Sequence, residues 1–456
     1  MKLTFYGGTR TVTGANYLLE AGPSTGGVKI LVDCGMFQGS KYAEGLNYEK
    51  FPYDPAEIDF VFITHSHMDH IGRLPKLYKD GFRGPVYASE PTKDIMAVAF
   101  PDALDKIVAE AKETGAEKLY GKKDIDALMA LTKGVRYKHA IDLGSGVSAI
   151  LHDAGHILGS SMVEINDGSA RIIFSGDLGN SPAPLLDPPD YVKGVDYAVL
   201  ESTYGDRVHE DKSERKELLE TIIRETMTRG GTLMMPSFAI ERTQELLFEI
   251  DELIKRKKIP QIPIFVDSPL AINITKVYQK FSSYLNEATG ATIKQQDGLY
   301  NFPWLKFTFT TDESKKINDV PPPKIIIAGS GMSNGGRILH HESRYLPDPH
   351  STLLIVGYQA EGTLGRRILD GAKEVKIFGE KVPVRCFVKA IGGYSAHADQ
   401  PGLLKFIEMA NEGDTLKKIF LVQGEENSAE ALAAKAREEL GVEAVVPSVG
   451  ESFELK

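Results

Sequence analysis

The sequence has few cysteines, no long apolar run and no excess of basic charge, and each lack excludes a class of protein. Cys34 and Cys386 could form one disulfide at most, so a disulfide-stapled secreted scaffold is excluded and a reducing cytoplasm fits best. No apolar stretch approaches the roughly 20 residues that a membrane helix needs. The opening MKLTFYGGTR lacks the apolar segment and small-residue cleavage site of a secretory leader, so a cytoplasmic protein without membrane association is expected. A formal charge of −10 argues against a protein that coats nucleic acid by charge alone. It leaves room for a nucleic-acid enzyme, because a bound metal pair and a few arginines can reverse the field inside one cleft. The dense basic run Lys255 to Lys258 follows an amphipathic helix pattern and reads as a solvated helix end.

What is present is the composition of a folded chain. With 42% hydrophobic and 25% charged residues it is neither disordered nor fibrous, and 456 residues suffice for two or three domains. The first half alternates short apolar runs with turns. Residues 14–20 and 28–32 read as strands around the turn GPSTGG, followed by strands at Phe60–Thr64, Val147–Leu151, Arg171–Ser175 and Tyr197–Leu200. Helix patterns cover about 92–112 and 122–132, with Pro101 expected to break the longer one. From Asp211 the texture becomes strand–helix alternation, the signature of a parallel α/β sheet: KSERKELLETIIRETMTRGG, TLMMPSF, AIERTQELLFEIDELIKRKK, PIFVDSP, KIIIAGSG and TLLIVGYQ. Strand–helix units resume from about 380 and close with a helix at 427–440.

One arrangement recurs: an apolar strand ends, and a potential ligand or acid follows it. VKILV precedes Asp33, DFVFIT precedes His65 to His70, SAILHDAG precedes His156, and RIIFSG precedes Asp177. YAVL precedes Glu201, KAIGGYSA precedes His397, and KIFLV precedes Gln423. If these strand ends share one edge of packed sheets, all seven positions converge there, where α/β proteins bind ligands.

HSHMDH is the most specific element. Two histidines at i and i+2 project to one side of an extended segment, and a tight turn then presents Asp69 and His70 to a neighbouring ion. Imidazole and carboxylate suit zinc, and no thiolate cluster points to a structural site. Read alone, His156 and Asp177 would be turn or cap residues; their order after HSHMDH makes them ligands. An aspartate after a central strand can bridge two cations with its two oxygens, which makes Asp177 the natural shared ligand. Asp33 reads as an acceptor that orients a ligand imidazole, or else as a turn residue before Gly35.

VDCG, HSHMDH, DAGHILGS and FSGDLG resemble the successive motifs of the metallo-β-lactamase-fold hydrolases. ESTYG, PSFAIERTQELL, DSPLA, AGSGMSNGGR, GYQAEGTLGRR and GGYSAHAD resemble the β-CASP branch, which holds RNA-processing and DNA-repair nucleases. The resemblance covers essentially the whole chain. It implies an α/β protein: an αββα metallo-β-lactamase domain (1–206), an inserted parallel-sheet α/β β-CASP domain (207–393), and a segment (394–456) that completes the first domain. It also implies two Zn2+ per chain, one held by His65, His67, His156 and Asp177, the other by Asp69, His70 and Asp177. Asp69, Glu201 and His397 would carry the chemistry, and Arg242, Ser330 and Arg337 would line the substrate cleft. The last three have plainer readings, Arg242 as a helix-start charge and GSGMSNGG as a tight turn. At Gln423 the sequence departs from the family, whose RNA-acting members carry histidine and whose DNA-repair members carry an apolar residue. An amide oxygen is a weaker ligand than imidazole, so a second cation served by Gln423 would be the less firmly held.

The function expected is two-metal hydrolysis of RNA phosphodiester bonds, in RNA processing or decay, with His397 oriented by Glu201 and protonating the leaving 3′ oxygen. The family implies 5′-phosphate and 3′-hydroxyl products. A DNA-acting nuclease of the same family and a metal-impaired RNA-binding scaffold are the alternatives. A hydrolase of small thioesters or phosphodiesters is a third, disfavoured by the long insert. RNA is the expected partner, and a homodimer or an RNA-processing complex both fit. Endo- or exonuclease mode does not follow from the residues.

Overall fold

The structure is a computed structural model; it describes residues 1–23, 26–115, 117–209, 214–290, 300, 302, 304–360 and 362–456. Residues 24–25, at the tip of the GPSTGG turn, and 211–213, at the start of the KSERK helix pattern, lie outside the described residues. The chain divides into two compact units, Met1–Val208 with Ala396–Lys456, and His209–Ser395.

The first unit is built on two seven-stranded sheets. One runs in the spatial order Ser452–Glu454, Lys2–Gly7, Asn16–Ala21, Val28–Val32, Phe60–Phe62, Val86–Ser89 and Thr132–Val135. The other runs Ala444–Val445, Lys418–Val422, Tyr197–Glu201, Arg171–Phe174, Ser161–Asn166, Val147–Asp153 and Ala140–Gly144. Their inner faces meet in one core that includes Phe5, Leu19, Ile30 and Phe62 from the first sheet and Leu151, Ile165, Ile172, Val199 and Phe420 from the second. Helices cover both outer faces. Leu74–Lys79, Glu90–Thr114 and Lys122–Leu131 cover the first sheet, and Gln400–Ala410 and Glu426–Leu440 cover the second. The result is the αββα layering.

Directions within the sheets place the site. Strands Arg171–Phe174, Tyr197–Glu201 and Lys418–Val422 are mutually parallel neighbours, buried on both faces, which is why they read as unbroken apolar runs. In the first sheet Val28–Val32 and Phe60–Phe62 are parallel too. Ile63–Ser161 contacts join the two sheets at this edge, with Ser161 N donating to Thr64 O at 2.7 Å.

Residues 396–456 supply strands to both sheets, so the first unit closes only with the C-terminal segment in place. The expected break at Pro101 does not occur; the helix runs unbroken from Glu90 to Thr114. Proline there removes one hydrogen bond, to the carbonyl of Ala97, which lies on the exposed side where water reaches it. Burial of Ile95, Met96, Phe100 and Ile107 on the other side outweighs that loss.

The second unit holds a six-stranded sheet in which every pairing is parallel, in the order Leu305–Phe307, Ile264–Val266, Lys324–Ala328, Thr232–Pro236, Thr352–Ile355 and Phe387–Ala390. A hairpin, Glu374–Ile377 with Glu380–Pro383, follows its last helix. Among the described residues no helix is long and apolar enough to cross a membrane. Cys34 and Cys386 are both free and buried.

The Phe420 ring sits 5.3 Å from Phe5 and 4.8 Å from Phe453, so the C-terminal segment locks into the inter-sheet core through it. Phe420→Ala is expected to destabilise the first unit by about 3–5 kcal/mol. Chemical denaturation followed by a probe in that unit measures this, and an unmoved midpoint would contradict the packing described.

Candidate metal centre

Most candidate ligand side chains sit just beyond the end of a strand of the first unit. Asp177 stands three residues after Phe174, Glu201 is the last residue of its strand, and Gln423 follows Val422. His65 and His67 lie in extended backbone after Phe62, and the short helix Met68–Ile71 then turns Asp69 and His70 back toward the same point. Glycine makes the close packing possible. A methyl group at Gly35 would stand 1.5 Å from the carbonyl oxygen of Asp69, so only a bare backbone lets the two loops touch.

Four ligand atoms meet around one point. His65 Nε2 lies 3.0 Å from His67 Nδ1 and 3.3 Å from Asp177 Oδ2, and His156 Nε2 lies 3.4 and 3.6 Å from the same two atoms. A tetrahedron of metal–ligand bonds of about 2.0–2.1 Å has edges of about 3.3 Å, which these spacings match. The other ring nitrogens of His65 and His156 are engaged. His65 Nδ1–H faces Thr64 Oγ1 at 3.1 Å and His156 Nδ1–H faces the Ala396 carbonyl at 3.2 Å, so bare nitrogens point inward. Burial first, then neighbouring imidazoles, holds His67 and His156 well below the usual histidine range and keeps them neutral. Lone pairs this close repel one another unless a cation lies between them.

A second set shares Asp177. His70 Nε2 is 3.3 Å from Asp177 Oδ1 and 3.7 Å from Asp69 Oδ2. Asp177 Oδ1 is buried and has no hydrogen-bond donor among the described residues, an orphaned oxygen that a cation would satisfy. Burial raises the Asp177 carboxyl, but the imidazoles of His70, His65 and His397 outweigh it and hold it well below the usual carboxylate range. Asp33 is fully buried and accepts three bonds, from Thr64 N at 2.8 Å, Thr64 Oγ1 at 2.8 Å and His70 Nδ1 at 2.7 Å. It fixes the His70 tautomer so that Nε2 faces the centre.

A third group combines Asp177, Glu201 and His397, whose ligand atoms lie within 4.8 Å of one another. His397 Nδ1 stands 3.1 Å from both Glu201 oxygens, and Leu178 N donates to Glu201 Oε1 at 2.6 Å. One buried carboxylate therefore holds both the histidine and the loop that carries Asp177. Burial lowers the His397 imidazole, but Glu201 and Asp177 outweigh it and push it up to about 9. His397 does not arrive at a strand end as its neighbours do. It lies in an extended segment that bridges to Gly179, with Ala398 N donating to Leu178 O at 2.8 Å.

Gln423 stands beside His70, its amide N–H donating to His70 Nε2 at 2.9 Å. Its Oε1 is buried without a hydrogen-bond partner among the described residues. Arg242, Ser330 and Arg337 belong to the second unit. Arg242 is buried, ion-paired with Glu245 and 4.9 Å over the Tyr394 ring, a strut inside that unit rather than an open phosphate contact. Arg337 is tied to Asp267 at 2.8 Å and to the carbonyls of Thr308 and Phe309. Ser330 Oγ accepts from Asn334 N at 3.0 Å and closes its loop. Thr64 was not singled out from the sequence, although its hydroxyl touches Asp33, His65 and His70; its place directly before HSHMDH was the available signal.

Residues 24–193 match the metallo-β-lactamase superfamily domain, 243–368 the Beta-Casp domain, and 381–447 the Zn-dependent metallo-hydrolase RNA specificity domain. Ribonuclease TTHA0252 of Thermus thermophilus is 38% identical over 95% of each chain. The β-CASP family of metallo-β-lactamase hydrolases includes this chain. Transcription termination factor FttA is 31% identical in Methanosarcina mazei, over 97% of this chain and 70% of that protein. In Methanocaldococcus jannaschii it is 30% identical, over 98% and 70%. The fold recurs in a solved protein of unknown function from Enterococcus faecalis, with a TM-score of 0.57 at 16% identity, covering 100% of this chain and 99% of that one. This β-CASP protein is thus a metal-dependent hydrolase, and the donor groups that meet at Asp177 are candidate places for the metal.

In this β-CASP protein the amide of Gln423 occupies the His70 nitrogen that a cation at the Asp69–His70–Asp177 set needs. Turning the amide frees that nitrogen but costs the hydrogen bond. Gln423→His is expected to raise metal affinity at this set by about 10- to 100-fold. Zinc titration against a chromophoric chelator, wild type beside variant, measures it; indistinguishable curves would exclude Gln423 from that set.

Proposed function

We propose that this protein is a zinc-dependent ribonuclease that hydrolyses RNA phosphodiester bonds at a centre of two Zn2+ ions. The observation that carries the reading is Asp177, whose two oxygens each face a separate set of buried donors. His65, His67, His156 and Asp177 would hold one ion, and Asp69, His70 and Asp177 the other. Bound ions would lower the pKa of water and offset charge on the phosphate oxygens.

The remaining steps belong to side chains of this chain. Glu201 holds His397 through Nδ1, which leaves Nε2–H to protonate the leaving 3′ oxygen. The raised imidazole keeps that proton in place at neutral pH. Asp33 orients His70, and Thr64 orients His65. RNA is favoured over DNA because a ribonuclease is among the relatives that match nearly end to end. A cytoplasmic setting accords with two free thiols and with the lack of a membrane-crossing helix among the described residues. Six filled donor positions support catalysis over a metal-impaired scaffold.

Incubating the protein with zinc and matched 5′- and 3′-labelled RNA and DNA tests the reading directly. RNA cleavage is expected, abolished by chelation and by Asp69→Ala; cleavage by a metal-free preparation, or of DNA alone, would overturn it.

The acid has its own signature. His397→Ala should slow a natural phosphodiester by about 10²- to 10⁴-fold. A nitrophenyl phosphodiester, whose leaving group needs no proton, should lose far less. Equal losses on the two substrates would assign His397 to binding.

A further inference from the structure

The second unit carries a feature that neither the metal centre nor its ligands require. Three adjacent parallel strands, Lys324–Ala328, Thr232–Pro236 and Thr352–Ile355, end on one edge of its sheet. The loops that leave them carry Phe238, the glycines Gly329 and Gly331, and Gly357 with Tyr358. Phe238 is 42% exposed and Tyr358 62%, both large aromatic surfaces left in water. Crevices outside the carboxyl ends of parallel strands are where α/β sheets bind ligands.

The Phe238 ring stands on a rigid base. The Phe238 carbonyl accepts from Thr243 Oγ1 at 2.7 Å and Ser237 Oγ at 3.2 Å, which pins the backbone under the ring. The ring rests on glycine: a methyl at Gly331 would lie 2.7 Å from Phe238 Cδ2, and one at Gly357 3.6 Å from Cε2. Gln359 is buried and ties the loops together. Its amide nitrogen donates to Gly331 O at 2.9 Å, Tyr358 O at 3.1 Å and Gly357 O at 3.2 Å. Hydrogen bonds thus order the backbone that carries both exposed aromatics, which a merely solvated loop does not need.

We propose that Phe238 and Tyr358 form a stacking subsite for bases of single-stranded RNA, a proposal that rests on the ribonuclease reading. The relatives argue for this occupant: a ribonuclease matches this chain nearly end to end. A chain of formal charge −10 gains from contacts to a polyanion that do not depend on charge. Stacking on aromatic rings is such a contact, and it tolerates any base.

The test is anisotropy of a labelled single-stranded phosphorothioate RNA, which resists cleavage, on the zinc-loaded protein. Phe238→Ala and Tyr358→Ala should each weaken binding by about 5- to 150-fold. Phe238→Trp and Tyr358→Phe should retain it. An RNA with one abasic position under the rings should bind wild type more weakly, yet lose nothing further on the double alanine variant. Alanine variants with wild-type circular dichroism that bind as tightly as wild type would overturn the subsite. So would equal further losses on intact and abasic RNA, or a homodimer that the variants dissociate without any change in RNA affinity. Wild-type protein that neither binds nor cleaves RNA would instead overturn the ribonuclease reading, and the subsite with it.

Discussion

Asp177 is a buried carboxylate with an imidazole nitrogen 3.3 Å from each of its oxygens, and the first unit is organised around keeping it there. An ionised carboxylate taken out of water costs several kcal/mol unless positive charge compensates it. The imidazoles of His70, His65 and His397 supply part of that compensation, and a cation shared with them would supply the rest. The requirement fixes the sheet. Asp177, Glu201 and Gln423 have to leave three neighbouring strands on the same side, so those strands are parallel, and the chain needs long crossovers between them. It also fixes the loops, because Gly35 has to lie bare against Asp69 for the HSHMDH turn to face inward.

The layered fold and the donor set were legible in the sequence because both depend on local patterns. VKILV, RIIF and KIFLV are apolar apart from one basic residue each because their strands are covered on both faces, and a polar residue soon after such a run marks the sheet edge. HSHMDH carries its own geometry within six residues. What escaped the reading depends on distant parts of the chain. Pro101 reads as a helix breaker on local grounds, yet burial on the opposite face of the helix overrides it. Arg242 reads as a helix-start charge or a phosphate contact, and only the fold shows Glu245 and Tyr394 taking its guanidinium. Strands Ser161–Asn166 and Val86–Ser89 go unpredicted although turn residues, Asp167-Gly168 and Gly84-Pro85, flank them; only their pairing in the sheets shows them.

Gln423 shows how a single position can separate two functions of one edge. Its backbone does what the site needs: N donates to Gly8 O at 2.7 Å and O accepts from Thr203 Oγ1 at 2.8 Å, so the strand end is held whatever the side chain. The side chain is free to vary on that fixed frame. With an amide there, His70 Nε2 has a competing partner, and the balance between hydrogen bond and cation becomes a property of this chain rather than of the fold.

The same centre decides how an acidic protein can approach a polyanion. Asp33, Asp69, Asp177 and Glu201 place four carboxylates within one buried cluster, and His397 is the one imidazole held protonated by them while it remains partly exposed. Without cations that cluster repels a phosphate. Two divalent ions would cancel the four carboxylates and turn that repulsion of a phosphodiester into attraction. Metal in the proposed ribonuclease is therefore a condition for holding the scissile phosphate as well as for attacking it. The attraction is short-ranged, screened beyond about 8–10 Å at physiological salt. It selects the one phosphate that reaches the centre and leaves the rest of the strand to be held by contacts that do not depend on charge.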